Sequence, residues 1–286
     1  MKGKSYMRDV DVNEVASKVR DLCIETNYNL SPDMKECLNK AEKNEMSPLG
    51  KNILGKLKEN LRIAAEDNIP ICQDTGMAVI FVDIGQDVHF VNGNLTDAIN
   101  EGVRRGYNEG YLRKSVVADP LKRVNTGDNT PAIIHYDIVD GDKVRITVAP
   151  KGFGSENKSR LFMLTPADGE DGVKRAVLQA VKEAGPNACP PMVVGVGLGG
   201  NFEKCACLAK RALTLKADEH SKEPDTASLE KELLDMINKT GIGPAGLGGT
   251  TTALAVHILS YPTHIAGLPV AVNICCHVNR HADCVI

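Results

Sequence analysis

Cys72-Gln73-Asp74-Thr75-Gly76, running on into Ala78-Val79-Ile80-Phe81-Val82-Asp83-Ile84, is where this chain changes character. Before it, apolar residues recur at helical spacing; after it they run together or alternate, as strands do. Upstream, Ser31-Pro32 and Ser47-Pro48 each read as an N-cap with proline at the first helical position, and Asp11 with Glu14 as a further capping arrangement. Leu49, Ile53, Leu54, Leu57 and Leu61 form the buried stripe of a third helix that ends near Asn68. Downstream, the pattern predicts strands over 78–84 and 88–91 around a turn at 85–87, then a helix over 95–110. A hairpin of 132–139 and 144–149 follows around Asp140-Gly141. Helices near 173–181, 202–215 and 229–237 alternate with a buried strand at 192–196 and a last one near 270–274. The expected fold class is α+β: a helical N-terminal part (about 8–68) followed by mixed, largely antiparallel β-sheets with packed helices (about 69–286), as one domain over 1–286.

Composition narrows the partners. The 286 residues are 42% apolar, enough for a large core, and 25% charged with a net charge of −3. That leaves no basic stripe for nucleic acid and no polybasic anchor for a membrane. Trp is absent and Phe and Tyr are few, so stacking platforms for single-stranded nucleic acid are not expected. No apolar run approaches the roughly 18 residues of a membrane span. The N-terminus lacks a signal-peptide core, so the chain reads as cytoplasmic, with residues 1–6 a loose leader before Met7.

Nine cysteines in such a chain argue against a disulfide framework. Cys23 and Cys37 read as core thiols, whereas Cys205, Cys207, Cys275 and Cys284 read either way. Cys72, Cys189 and Cys276 fall in loops. Cys189 precedes Pro190-Pro191, which predicts extended backbone there. No Cys-x-x-Cys pair occurs, unlike zinc fingers and bacterial ferredoxins. Three distant thiolates suit a cubane iron–sulfur cluster with one open iron, a site for Lewis-acid chemistry.

Several neighbours read two ways. Asp74 is an acid or base, or the residue of an Asx-turn closing on Gly76. Gln73 is a donor to a substrate carboxylate or a turn amide. Arg113 is a carboxylate clamp or a solvated charge. Asn125-Thr126-Gly127-Asp128-Asn129-Thr130-Pro131 is a functional loop or a satisfied polar turn. Gly195-Val196-Gly197-Leu198-Gly199-Gly200, Gly152-Phe153-Gly154 and the glycines of 241–249 offer backbone N–H groups to an anion or are packing turns; the first lacks the spacing of a dinucleotide fingerprint. His264 is a proton carrier beside Asp74 or a surface histidine.

Taken together, these segments resemble the alpha subunit of a two-subunit class I fumarate hydratase, or of the related L(+)-tartrate dehydratase. The resemblance runs through Pro70–Gly76, 112–115, 125–132, 154–157, Cys189-Pro190-Pro191 with its glycine run, and Pro262-Thr263-His264 to Cys276 and Arg280. It implies a [4Fe-4S] cluster on Cys72, Cys189 and Cys276, with Cys276 preferred over Cys275 because it keeps the family's step to Arg280. It further implies substrate held by Gln73, Arg113 and Gly154, and proton transfer by Asp74 with help from His264. The expected reaction is hydration of fumarate to L-malate, or the same chemistry on tartrate, the rival reading being a non-catalytic iron–sulfur scaffold subunit. A separate beta subunit would complete the site for a small dicarboxylate, in a heterotetramer.

Overall fold

The computed structural model describes residues 7–286, so the leader expected over residues 1–6 lies outside the described residues. In chain order the elements are β1 (Arg8–Asp11), α1 (Val12–Tyr28), α2 (Pro32–Asn44), α3 (Pro48–Asp67), β2 (Met77–Gly85), β3 (Val88–Val91) and α4 (Leu95–Glu109). Then come β4 (Ile133–Val139), β5 (Val144–Lys151), a short α5 (Phe153–Glu156), β6 (Arg160–Leu164) and α6 (Gly169–Ala184). The last are β7 (Met192–Gly199), α7 (Phe202–Ala212), α8 (Pro224–Asn238), β8 (Ala253–Tyr261), β9 (Leu268–Cys275) and β10 (Ala282–Val285). The fold is α+β, with a helical start and mixed sheets after it. Two compact units divide it: the described residues to Ser31 with Ala64–Gly152 and Arg280–Ile286, and Pro32–Ile63 with Phe153–Asn279.

The first unit is built on a four-stranded sheet of order β10-β5-β2-β4, beside a small parallel pair, β1 and β3. The expected hairpin of 132–139 with 144–149 is not formed. β4 runs parallel to β2 and β5 antiparallel to it, so β2 lies between them. Ala78–Val82 is buried at every position, so β2 belongs in the centre of the sheet, neighboured on both edges. The Asp140-Gly141 segment instead clasps the end of β2, with Gly85 N donating to Lys143 O and Asp87 N to Gly141 O. On the sheet lie α1 and α4, contributing Val15, Val19, Cys23, Ile99, Val103 and Tyr107 to a core with Ile80, Val82 and Ile146. A side chain at Gly102 would meet Ala16 O at 2.5 Å, which is why α4 is glycine where it crosses α1. Asp11 caps α1 by accepting from Asn13 N, without the expected part for Glu14.

The second unit has a sheet of order β6-β9-β7-β8 with helices on both faces. Val194 and Val196 of β7 face the buried stripe Val173, Val177, Ala180 and Val181 of α6, along with Leu233 and Ile237 of α8. The alternating Gly195 and Gly197 face α7, where a side chain at Gly197 would lie 1.9 Å from Cys205 O. This glycine run is therefore a helix–strand packing seam, not an anion cradle. Leu49, expected in the stripe of α3, is 52% exposed, while Leu54 and Leu61 are buried as expected.

Glu45, between α2 and α3, is fully buried. Its Oε1 accepts from Ser47 N, Thr250 N and Thr250 Oγ1, and its Oε2 from Thr251 N. Burial pushes its pKa up, but these bonds outweigh it and hold the carboxyl at about 2 against an ordinary 4.5. A depressed pKa adds stability that is complete above the unfolded value and fades as pH falls toward the folded one. Glu45→Gln should therefore lower unfolding stability at neutral pH by on the order of 3 kcal/mol. Denaturant melts should show the gap to wild type closing as pH is lowered from about 4.5 toward about 2.

Candidate active site

In the first unit, the Cys72–Gly76 turn links the end of α3 to β2 and is sewn down by backbone and buried polar groups. Ile71 N donates to Asn27 O at 2.9 Å. Thr75 Oγ1 accepts from Arg113 N at 2.9 Å and donates to Arg113 O at 3.2 Å, so the turn and the Arg113 segment are zipped together. Tyr107 OH lies 2.9 and 3.0 Å from Thr75 O and Gly76 O; burial pushes its pKa up, which keeps it a neutral donor. Asn129 joins Gly76 O to Ser115 N. Sequence reasoning missed Tyr107, which looks like any core aromatic of α4, and placed Asn129 only within a loop.

Within the turn, Asp74 Oδ1 accepts from Gly76 N at 3.1 Å, an Asx-turn that fixes the carboxylate. Both readings of Asp74 are thus compatible: the turn bond orients the group that would do acid–base work. The other oxygen, Oδ2, lies 3.0 Å from where a side chain at Gly152 would begin. The Cys72 thiol donates to Gln73 Oε1 at 3.2 Å, and Gln73 itself is exposed. Arg113 is anchored by its backbone while its side chain is exposed. The 125–131 segment is a satisfied polar turn. Asp128 accepts from Thr130 N, Thr130 Oγ1 and Arg104 Nε; burial raises its pKa, yet these bonds hold it at about 2.

In the second unit the sheet brings two thiols together. Cys189 lies three residues before β7, and Cys276 follows β9 directly. The strands are antiparallel neighbours with Val193 opposite Cys275, so both cysteines emerge at one end of the sheet. His277 N and His277 Nδ1 both contact Cys189 O, at 3.3 and 3.0 Å. Cys275 is buried as the last strand residue, whereas Cys276 is half-buried beyond it. Cys189 is exposed and adopts left-handed φ 52°, not the extended backbone expected before proline. It closes the short helix Gly185–Ala188, with its N–H on Pro186 O, and its carbonyl is pinned by His277. Ala245 N donates to Pro190 O, and Gly246 packs where a side chain would meet the Pro186 ring at 2.4 Å. The 241–252 loop thus buttresses the Cys189 turn, and Glu45 holds the far end of that loop.

Gly154, in α5, is exposed and has nothing within 4 Å of where a side chain would begin. His264 lies elsewhere. It is exposed in the loop between β8 and β9, at the opposite end of β9 from Cys276, with the length of that strand, roughly 25 Å at about 3.3 Å per residue, between them. There its Nδ1 accepts from Ala266 N, beside an open cavity of about 480 Å³ that also involves Val173, Leu229 and Leu268.

Four of the six remaining thiols separate from these three. Burial pushes Cys23 up to about 12 and Cys37 to about 11, and raises Cys205 and Cys284, so none favours the thiolate. Among the described residues, no three His, Cys, Asp or Glu side chains form a ready-made metal site. The donors still suit a sulfur-ligated cluster, because soft thiols outside any disulfide are what iron–sulfur centres take. Two of the three are presented at a single sheet end, and the third stands beside a fixed carboxylate.

Comparison with known proteins identifies the family. A family model described as fumarate hydratase (fumerase) matches residues 16–285. A Methanocaldococcus jannaschii protein whose name provisionally makes it an L(+)-tartrate dehydratase subunit alpha is 42% identical over 94% of this chain and 96% of its own length. The L(+)-tartrate dehydratase subunit alpha of Escherichia coli strain K12 is 31% identical, over 95% of this chain and 92% of its own. With the match extending across both units and through every cysteine-bearing loop, the chain belongs to the fumarate hydratase (fumerase) family of hydro-lyases.

Proposed function

We propose that this chain is the cluster-binding alpha subunit of a hydro-lyase that reversibly hydrates fumarate to L-malate. In this reading it acts as one functional domain, with Cys72, Cys189 and Cys276 holding a [4Fe-4S] cluster. The observation that carries it is the Cys72–Gly76 turn zipped to the Arg113 backbone, which sets a thiol, a fixed carboxylate and the arginine that follows on one short stretch of chain. When bound, a cluster with three thiolate ligands supplies a Lewis-acidic iron that makes hydroxide a workable leaving group.

The chain's own residues would do the rest. Arg113 would pair with a substrate carboxylate, and the charge building beside that carboxylate as the C–H proton leaves would fall under its guanidinium. Asp74 would take that proton at Oδ2 in dehydration and return it in hydration, its Oδ1 being held by Gly76 N. The Gln73 amide would donate to a substrate oxygen, and Gly154 would let substrate approach the backbone. His264 receives no step, since it stands at the far end of its sheet from Cys276. A separate beta subunit would supply the remaining carboxylate-binding groups, as the alpha-subunit names of the relatives suggest, in a dimer of heterodimers. Those same names favour a second reading, L(+)-tartrate dehydration, which differs only by one more substrate hydroxyl.

Anaerobic co-purification with a beta partner, followed by assays with fumarate, malate and L(+)-tartrate, separates the two substrates; no turnover of any would discard both readings. Cys72→Ser should lose iron and activity together. Asp74→Asn should keep the iron and lose turnover by about 10²–10⁴-fold; a near-normal rate would remove Asp74 from the mechanism. Gly152→Ala, which presses on Asp74 Oδ2, should lower kcat with iron content unchanged. Exposure to air should inactivate the enzyme, and anaerobic iron with sulfide should restore it.

A further inference from the structure

Arg280 is 4% exposed, and its Nη2 donates to the Asp74 carbonyl. Its Nε and Nη1 are buried and have no hydrogen-bond partner among the described residues. Three other cations sit on carboxylates: Lys210 on Glu156, Lys174 between Glu170 and Glu232, and Arg104 between Glu101 and Asp128. Leaving a buried guanidinium with donors unfilled is destabilising, so an anion is the natural partner for them.

The position narrows which anion it is. The bond to Asp74 sets Arg280 against the turn two residues from the Cys72 thiol. Its unfilled donors are closed to solvent, so a substrate that enters and leaves at each turnover has no route to them. A resident anion has none of that difficulty. We propose that Arg280 is the counter-cation and hydrogen-bond donor for anionic sulfur held at Cys72, and that it positions Asp74 through the same contact. This rests on the proposed role of the chain as a cluster-binding subunit.

Positive charge and N–H donors at cluster sulfur favour the more reduced, more negative state and so raise the reduction potential. Arg280→Gln and Arg280→Lys holoenzymes, prepared anaerobically with the beta partner, test the assignment. Arg280→Gln should shift the potential to more negative values and lose iron on gel filtration, and Arg280→Lys should recover part of both. In the cluster-free protein, Arg280→Gln should leave the thermal midpoint unchanged or raise it, because an unpaired charge is removed, while the cluster-loaded midpoint falls. An equal fall with and without cluster would make Arg280 a mere prop for the Asp74 carbonyl and overturn the proposal. So would an unchanged potential with a raised KM, which would assign Arg280 to substrate. Wild-type protein that takes up no iron would overturn the cluster reading and this proposal together. Iron-loaded variants indistinguishable from wild type would overturn this proposal alone.

Discussion

Pairing of β7 with β9, Val193 opposite Cys275, is the constraint on which the thiol arrangement depends. Strand side chains alternate between faces, so a slip of one residue would bury Cys276 and turn Cys275 outward. Register is held because Val194, Val196, Val272 and Ile274 all belong to one core with α6 and α8, and a slip would expose them together. The glycines opposite admit α7 so closely that the other face cannot slide either. A cysteine's availability is thus decided by hydrophobic packing several residues away, not by anything local to the thiol.

Polar groups complete what packing begins. Glu45 and Asp128 are carboxylates kept ionised by backbone N–H groups and hydroxyls, and each ties a loop in place: 241–252 behind Cys189, and 125–131 behind the Gly76 end of the Cys72 turn. Neither acts on a substrate in the proposed mechanism. Their work is to remove freedom from the loops that carry the residues which do.

Much of this was legible in the sequence, and the failures have physical causes. Proline-headed helices and buried strands announce themselves locally, and so do loop cysteines beside Asp74. Strand partners do not: the turn signal at Asp140-Gly141 is real, but it cannot reveal that β2 lies between the two strands it joins. Short β10 pairs through backbone at residues with no apolar run and left no signal. Backbone at Cys189 is set by His277, 88 residues away, which overrides the local bias before proline. Arg280 drew notice only through family resemblance, because nothing about an isolated arginine tells that it will be buried.

The membership of the first unit has a consequence for how the protein is made. Its sheet includes β10, and the residue after that strand is stitched in as well: Ile286 exchanges backbone bonds with Val144, and Arg8 donates to the Ile286 carbonyl. A nascent chain can therefore not close this sheet until residues 153–279 have emerged from the ribosome. Until then the edge of β5 stays unprotected, open to strand pairing with other chains. Arg280, which follows residues 153–279 in the chain, would reach the Asp74 turn only after all of them have been made.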